Sequence, residues 1–550
     1  MRSTILIAAI AALSMSGCKT TAKTESSKPP NILLIVADDL GFSDIGAYGG
    51  EISTPTLDRL AEEGLQLSNF HVLPTCSPTR SVLLSGMDNH RAGLGTMEEF
   101  VTPETEGHPG YAGYLNFEVA TLPQVLEQAG YHTYMAGKWH LGSTEETSPS
   151  ARGFEETFVL LQGGGSHWSD RKPLTPTETM VYRRDGKKVD SLPEDFYSSR
   201  YYTDRILEWI EQGRTDGKPF FAYLSYTAPH DPLHAPKEYT AKYKGKYDQG
   251  WDTLRQTRLA SLKRLGMVPE DAVPFPRLPN VEAWDDLPPE DRALAARDME
   301  VYAAMVDYMD EQIARLFDYL KEIGEYDNTM ILFMSDNGAN GVLRTAYPGQ
   351  TDEYLASFDD SLENRGLPGS YIEMGPGWAQ ASMSPSRLFK AYPTEGGIKA
   401  PLLVKVAGKP TQPGAMNDSF VHVRDIMPTL LDVAGVAAPE VIGGREVLPM
   451  QGQSVLDLFT GKSEEAYLGA NRVGYELFSF KAFIDGNWKI VRMPKPLGTG
   501  EWELFDLSTD PAEIRDLSSE HPEKLEEMVA LWDEYKEENG VLDIVPKVAQ

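Results

Sequence analysis

Cysteine is scarce in this chain: Cys18 and Cys76 are the only two in 550 residues. A framework of several disulfides, which stabilises many exported domains, is therefore excluded. Basic residues are also few relative to acidic ones, with 51 Lys and Arg against 82 Asp and Glu and a formal net charge of −31. Nucleic acid is not an expected partner, because phosphate binding needs clustered cations. An anionic substrate would need a few cations concentrated in one cleft.

Long apolar runs are also lacking, and the N-terminal run from Ile5 to Leu13 is too short to span a bilayer. It follows Arg2 and precedes Ser16-Gly17-Cys18, a pattern typical of a signal peptide with a small-residue cleavage site. With Cys at the cut the segment resembles a bacterial lipoprotein signal, although Met15 stands where Leu is usual. An ordinary signal peptide is the alternative.

We therefore predict a signal peptide over residues 1–18 and a flexible tether over residues 19–30. A lipid on Cys18 would anchor an exported protein in the bacterial cell envelope, in the periplasm or at the outer membrane. The remaining length exceeds one compact core, so we expect a large domain over residues 31–438 and a smaller one over 439–550.

The large domain is predicted to be α/β, with a mixed, mostly parallel sheet flanked by helices. Residues 31–37 (NILLIVA) and 329–335 (TMILFMS) are apolar runs of strand length, typical of strands buried on both faces. Helices are predicted at 122–128, 298–323 and 424–435, whereas residues 142–202 and 239–294 have weak periodicity and indicate insertions over the sheet.

Hard oxygen ligands follow both apolar strands. Asp38 and Asp39 come directly after the first, and Asp336 and Asn337 directly after the second. Adjacent acids repel each other in a confined site unless a cation lies between them. Three carboxylates and an amide favour Ca²⁺, with Mg²⁺ second, over zinc. A solvated turn is the alternative for each pair alone.

Cations and histidines follow two further predicted strands, at 131–136 and 219–226. Lys138 and His140 lie beyond one of them and His230 beyond the other. Each is unremarkable alone, since surface residues often follow strands. Ligands of open α/β sheets bind outside the carboxyl ends of the strands, so together these residues indicate one site.

Cys76 begins the pattern Cys-x-Pro-x-Arg that ends at Arg80. An alternating strand precedes it, and Pro78 suits the first turn of a helix, so Cys76 is expected at a helix N-terminus, which favours an anion. For a lone cysteine a small buried hydrophobe is the alternative. With the metal, cation and histidine candidates, the pattern indicates attack on a tetrahedral anionic centre, sulfate or phosphate.

The cysteine pattern resembles the signature of type I sulfatases of the alkaline phosphatase superfamily, in which that cysteine becomes Cα-formylglycine. The resemblance extends over Asn31–Asn539, is greatest to bacterial arylsulfatases, and includes the motifs at 38–41 (DDLG), 137–142 (GKWHLG), 228–230 (APH), 335–338 (SDNG), 395–397 (EGG) and 502–507 (WELFDL). It implies a sulfate ester substrate, a Ca²⁺ ion, and a formylglycine-generating or anaerobic sulfatase-maturating enzyme as partner.

The resemblance also implies a role for each matching residue. Asp38, Asp39, Asp336, Asn337 and an oxygen of the modified Cys76 would bind Ca²⁺. Arg80 and Lys138 would hold the aldehyde hydrate, and His230 and Lys390 would contact the sulfate and the bridging oxygen, with His230 as the acid. His140 would take a proton from the second hydroxyl, so that sulfate leaves by elimination.

One position departs from the family pattern: Lys399 stands where an Arg often follows the glycine pair. We therefore assign the active-site role to Lys390 and a structural or peripheral role to Lys399. Two other functions stay open at this point. One is a phosphonate monoester hydrolase or phosphodiesterase of the same superfamily, and the other is a non-catalytic lipoprotein that binds sulfated glycans.

The smaller domain is predicted to be an antiparallel sheet covered by one helix. Residues 475–483 and 488–493 are expected to form a hairpin around the Asp485-Gly486 turn, followed by a strand at 502–507. The helix is expected over 522–538, with Leu525, Met528, Trp532 and Tyr535 on one face.

Overall fold

The computed structural model describes residues 29–408, 412–469 and 471–543. The predicted signal peptide and most of the predicted tether fall outside these ranges, so both stay predictions. Within them, no helix has both the length and the apolarity that crossing a membrane requires.

Strands occur throughout the described ranges, and most belong to one large sheet. In chain order they are β1 (Asn31–Ala37), β2 (Leu65–His71), β3 (His132–Lys138), β4 (Glu156–Leu160), β5 (Tyr182–Arg184), β6 (Lys187–Lys188), β7 (Phe220–Ser225), β8 (Thr329–Ser335), β9 (Lys399–Lys405), β10 (Ala415–Asn417), β11 (Val421–His422), β12 (Val441–Ile442), β13 (Arg445–Glu446), β14 (Val473–Leu477), β15 (Phe480–Asp485), β16 (Trp488–Arg492) and β17 (Trp502–Asp506).

The α-helices lie between these strands and after the last one. They are α1 (Pro55–Glu63), α2 (Cys76–Ser85), α3 (Leu122–Gln128), α4 (Ser198–Gly213), α5 (Lys237–Lys242), α6 (Gly250–Arg264), α7 (Pro289–Glu322), α8 (Asp352–Leu355), α9 (Gly375–Ser382), α10 (Glu395–Ile398), α11 (Ile426–Ala434), α12 (Leu456–Phe459) and α13 (Pro522–Asn539).

The large sheet has the order β10-β2-β9-β8-β1-β7-β3-β4-β5-β6, and β11 also pairs with β2. Its centre, from β8 to β4, is entirely parallel, while β9 runs antiparallel to both β2 and β8. Every residue of β1 and β8 is buried, as their continuous apolar sequences predict. The predicted mixed, mostly parallel sheet is confirmed.

The strand directions bring distant segments to one edge of this sheet. The carboxyl ends of β1, β3, β7 and β8 lie there because these four strands are parallel. The end of β2 and the start of β9 lie there too, since His71 pairs with Lys399 in antiparallel register. All the predicted site residues follow or precede one of these strand ends.

Residues 142–202 and 239–294, which were predicted to be insertions over the sheet, contain regular elements, and the prediction is wrong for β4, which is part of the sheet itself. β4 pairs with β3 in the large sheet, and α4 and α6 are helices of 16 and 15 residues. Helix α7 begins at Pro289 rather than at Asp298. The periodicity of α6 is weak because it buries Arg255 and Arg258 together with Leu259 and Leu262.

The C-terminal strands β14 to β17 form an antiparallel sheet in sequence order, and α13 contacts three of them. Met528 and Trp532 of α13 are buried, as predicted. Residues 475–483, however, are not one strand: β14 and β15 form a hairpin whose turn residues, Phe478 and Ser479, have φ of 55° and 66°. Neither residue type is common in left-handed turns, so no turn was predicted between them.

A buried ionic cluster joins this small sheet to the large one. Lys489 of β16 is fully buried, and its Nζ lies 2.8 Å from a carboxylate oxygen of Glu395 and 2.8 Å from one of Glu513. The other oxygen of Glu395 lies 3.0 Å from Nε2 of His71, at the end of β2. Because Val473 and Tyr475 also pack into the main core, the division predicted at residues 438 and 439 stays a prediction.

We predict that Lys489→Met lowers stability by about 3–5 kcal/mol, because two carboxylates would stay buried without their cation. Urea denaturation followed by tryptophan fluorescence measures this. The control is Lys462→Met, since Lys462 is 69% exposed and pairs with an exposed carboxylate. Equal denaturation midpoints for Lys489→Met and wild type would contradict the proposed link between the sheets.

Candidate active site

Cys76 is the first residue of α2, as predicted, and is 1% exposed. The turn between β2 and α2 is fixed by Thr79, whose Oγ1 accepts from the Leu73 backbone N–H at 2.9 Å and donates to the Leu73 carbonyl at 3.2 Å. The Cys76 Sγ lies 3.8 Å from Asp39 Oδ1. The cysteine is therefore at a helix start and beside the predicted metal ligands.

The four predicted oxygen ligands form one buried group. The Asp39 backbone N–H donates to Asp336 Oδ1 at 3.2 Å, and Asn337 Nδ2 donates to Asp39 Oδ1 at 2.6 Å. Asp39 itself has a left-handed backbone, with φ of 68°. Ligand atoms of Asp38, Asp39, Cys76 and His230 all lie within 4.8 Å of one another.

This group fits a divalent cation. Asn337 Oδ1 is buried and has no hydrogen-bond partner among the described residues, although buried amide oxygens normally have one. Carboxylate and amide oxygens are the donors that Ca²⁺ and Mg²⁺ prefer. Asp38, Asp39, Asp336 and Asn337 can therefore supply an oxygen-rich site next to residue 76.

Three buried cations compensate the carboxylates. Lys138 Nζ lies 2.9 and 2.8 Å from the two oxygens of Asp38, and Lys390 Nζ lies 2.8 Å from Asp39 Oδ2. Arg80 donates to Asp336 Oδ2 from Nε at 2.9 Å and from Nη2 at 2.7 Å. Each buried charge thus has an opposite partner, as burial of charge requires.

These contacts shift the proton affinities of the acids. Burial would raise the pKa of Asp39, but the charges of Lys390, His230 and Lys138 outweigh it and hold that pKa below its ordinary range. Burial raises the pKa of the Cys76 thiol well above its usual value, although Lys138 and Lys390 act in the opposite direction. At neutral pH, residue 76 is therefore a thiol rather than a nucleophilic thiolate.

His230 lies between the carboxylates and the cavity. Its Nδ1 is 2.6 Å from the Asp231 carbonyl and its Nε2 is 3.1 Å from Lys390 Nζ. Burial and the charge of Lys390 lower the pKa of His230 to about 4, so Nε2 accepts from Lys390 at neutral pH. The acid role expected for His230 requires it to gain a proton when an anionic substrate is bound.

His140 lies on the other side of the same cavity, at the end of β3. Its Nε2 is 3.3 Å from Glu99 Oε2, and its buried Nδ1 has no hydrogen-bond partner within the part of the chain that the structure describes. A Cβ at Gly163 would lie 2.8 Å from His140 Cε1, so glycine is needed beside the ring. The free nitrogen of His140 is available to accept a proton.

The glycine that precedes Lys138 also has a steric role. Gly137 has φ of 120°, and a Cβ there would lie 1.7 Å from the Ser225 carbonyl oxygen. Only glycine lets β3 approach β7 this closely. Ser225 Oγ then donates to the Lys138 carbonyl at 2.8 Å, which fixes the end of β3.

The two lysines around the glycine pair occupy different environments. Lys390 lines the cavity above Cys76, whereas the ammonium of Lys399 lies 5.5 Å from the centre of the Phe42 ring. The structure thus brings Cys76, Arg80, Lys138, His140, His230 and Lys390 to the predicted edge of the sheet, while Lys399 packs on an aromatic ring.

A sequence model of the sulfatase family matches residues 30–436. The chain belongs to the sulfatase family. A second model, for the C-terminal region of N-sulphoglucosamine sulphohydrolase, matches residues 388–538 of this sulfatase. The family that the motifs predicted is confirmed.

Two relatives that align with most of the chain are also sulfatases. A sulfatase of Schizosaccharomyces pombe is 46% identical over 532 residues, covering 94% of this chain and 96% of its own. An arylsulfatase of Klebsiella aerogenes is 40% identical over 452 residues, covering 82% and 95%. This sulfatase is accordingly a sulfuric ester hydrolase.

A solved structure in complex with D-glucosamine-2-N,6-O-disulfate has the same fold. Its TM-score to this sulfatase is 0.62 at 22% identity, covering 94% of this chain and 100% of its own.

Sequence reasoning missed several residues that line or support the site. Ser225, Glu99, Glu178 and Phe478 lie outside the motifs that indicate the site, and folding alone brings them to it. Asp231 follows His230 directly, and its carboxylate accepts from Asn340 Nδ2 at 2.7 Å. Because Asp231 directly follows a predicted catalytic histidine, its role at the site could have been predicted from the sequence.

We predict that Ca²⁺ raises the thermal stability of chelator-treated protein, because a ligand that binds only the folded state at about 100 times its Kd adds about 2.7 kcal/mol. Thermal unfolding with and without millimolar CaCl₂ measures this. Asn337→Ala should lose most of the shift, while Asn364→Ala, at a half-buried position in a separate loop, should keep it. No shift in the wild type would contradict a divalent-ion site here.

Proposed function

We propose that this sulfatase hydrolyses sulfate monoesters, of aryl or carbohydrate type, through a hydrated Cα-formylglycine made from Cys76 and with a bound Ca²⁺ ion. One observation carries the proposal: Cys76 lies at the same sheet edge as three buried carboxylates and three buried cations. This arrangement suits binding of a tetrahedral anion beside an oxygen nucleophile.

Asp38, Asp39, Asp336 and Asn337 would hold the Ca²⁺, together with an oxygen of the modified residue 76. When bound, the ion would supply positive charge that offsets the negative charge of the sulfate group and lowers the pKa of the attacking hydroxyl. Ca²⁺ is preferred to Mg²⁺ because all the proposed ligands are protein oxygens, whereas Mg²⁺ usually keeps several waters. The unpartnered Asn337 Oδ1 supports its assignment as a ligand.

The modified residue would carry two hydroxyls on one carbon. One would attack sulfur as the bond to the alcohol or phenol oxygen breaks, and the other, on losing its proton, would let sulfate leave by elimination. Lys138 and Lys390 would hold the sulfuryl oxygens. Arg80, whose position is fixed by its hydrogen bonds to Asp336, would orient the nucleophile. His230, beside Lys390, would give a proton to the leaving oxygen. His140 would take the proton of the second hydroxyl on its free nitrogen.

Modification of Cys76 requires a maturation enzyme, either a formylglycine-generating enzyme or an anaerobic sulfatase-maturating enzyme. The same catalytic residues would suit a phosphonate monoester or phosphodiester. The arylsulfatase at 40% identity favours sulfate. A purely glycan-binding lipoprotein is disfavoured because each expected catalytic position holds a residue of suitable chemistry.

We also propose that the protein is exported and anchored to the cell envelope by a lipid on Cys18, on the strength of the sequence Ser16-Gly17-Cys18 after a short apolar segment. We expect Cys18→Ser to move the protein from the membrane fraction to the soluble fraction. Immunoblots of fractionated cells measure this, and Ser26→Thr, in the predicted tether outside the cleavage pattern, is the control. Membrane retention of Cys18→Ser would contradict lipid anchoring.

We predict that Cys76→Ser folds normally but stops after at most one turnover per active site, because serine has no second hydroxyl for elimination. Phenol release from an aryl sulfate over time measures the turnover number. Mass spectrometry of the tryptic peptide should find formylglycine at residue 76 in active wild type. Steady-state hydrolysis by Cys76→Ser near the wild-type rate, or an unmodified thiol in fully active protein, would contradict the mechanism.

A further inference from the structure

The cavity above Cys76 has mainly apolar walls. Beyond the catalytic residues, it is lined by Met97, Phe100, Leu174, Val342, Tyr347 and Phe478, which come from four separate segments of the chain. Such walls exclude water and offer few partners for hydroxyl groups. The part of the site that receives the leaving group is therefore apolar.

Two aromatic rings form one wall of this cavity. The ring centres of Phe100 and Phe478 are 4.8 Å apart and their planes are inclined by 51°. Phe478 is in the turn between β14 and β15, where its left-handed backbone places it at the tip of the hairpin. The C-terminal sheet thus contributes a side chain to the cavity, and a flat ring can pack on this pair.

The charge around the cavity is negative away from the nucleophile. Among the described residues that line it, Lys390 is the only lysine or arginine, and its ammonium contacts Asp39. Glu99 and Glu178 line this cavity and also a second one, which shares His140, Gly163 and Leu174 with it. Above neutral pH, a leaving group with a second sulfate or a carboxylate would find two carboxylates and, among the described lining residues, no lysine or arginine free to pair with it.

We infer, on the basis of the proposed function, that the substrate is a monosulfate ester whose leaving group is a flat apolar ring without a further negative charge. Phe100 and Phe478 hold the ring, and Glu178 repels additional anionic groups. The cavity accordingly selects against polysulfated sugars, although this sulfatase shares its fold with a protein solved in complex with a disulfated glucosamine.

The test compares three substrates at saturating Ca²⁺: 4-(methoxycarbonyl)phenyl sulfate, 4-carboxyphenyl sulfate and glucose 6-sulfate. The first two differ by one negative charge at the far end of the ring. Burial and the neighbouring Glu99 raise the pKa of Glu178 to about 7, so assays at about pH 8.5 keep its carboxylate ionised. We expect kcat/KM to fall about tenfold from the methyl ester to the free acid, and about a hundredfold or more to the sugar sulfate.

Two variants assign the selectivity to named residues. Glu178→Gln should reduce the methyl ester to free acid ratio from about tenfold to below about threefold, because the repelling charge is gone. Phe478→Ala should raise KM for the methyl ester about tenfold while changing kcat less, because ring packing is lost before the chemical step. Glu62→Gln, on the exposed face of α1, is the control and should keep the wild-type ratios.

Each outcome bears on one claim. Comparable kcat/KM values for glucose 6-sulfate and the methyl ester would overturn the inferred leaving group and leave the proposed function intact. If Glu178→Gln kept the wild-type ratio of kcat/KM between the methyl ester and the free acid, the inferred repulsion by Glu178 would be wrong. Failure to release sulfate from any of the three esters by protein with formylglycine at residue 76 would instead contradict the proposed function.

Discussion

The active site depends on the mutual compensation of buried charges. Taking an ion out of water costs several kcal/mol, so a buried carboxylate is stable only with cations or hydrogen-bond donors around it. Here three carboxylates meet three cations at close range: Asp38, Asp39 and Asp336 with Arg80, Lys138 and Lys390. These six side chains come from five separate segments of the chain, so they can meet only if the whole sheet forms correctly.

The topology of the sheet meets this requirement. Four parallel strands end at one edge, and the antiparallel pair β2 and β9 brings Cys76 and Lys390 to the same edge. Loops after these strand ends can then vary without disturbing the charged group. The small sheet is held to the large one by buried Lys489 and contributes Phe478 to the cavity. The edge of the large sheet thus supplies the charged residues, whereas the small sheet supplies one wall residue of the cavity, Phe478.

Much of this was predictable from sequence, for a physical reason. β1 and β8 match the predicted bounds because strands buried on both faces are apolar throughout, and the polar residues after them mark the sheet edge. β4 and the start of α7 were missed because short or half-exposed elements have weak periodicity. Phe478 was missed as a turn residue, since Phe is unusual with φ of 55°. Glu99 and Glu178 reach the cavity only through tertiary packing, so no local pattern predicts them.

We propose that residue 76, as an oxidised cysteine, and the four oxygen donors bind one calcium ion. The decisive measurement is a crystal structure of mature protein grown with CaCl₂, with the ion identified by anomalous scattering. We expect one ion contacted by Asp38, Asp39, Asp336 and Asn337 and by an oxygen on residue 76. A fully occupied ion elsewhere, or residue 76 with an intact thiol turned away from these donors in active protein, would contradict it.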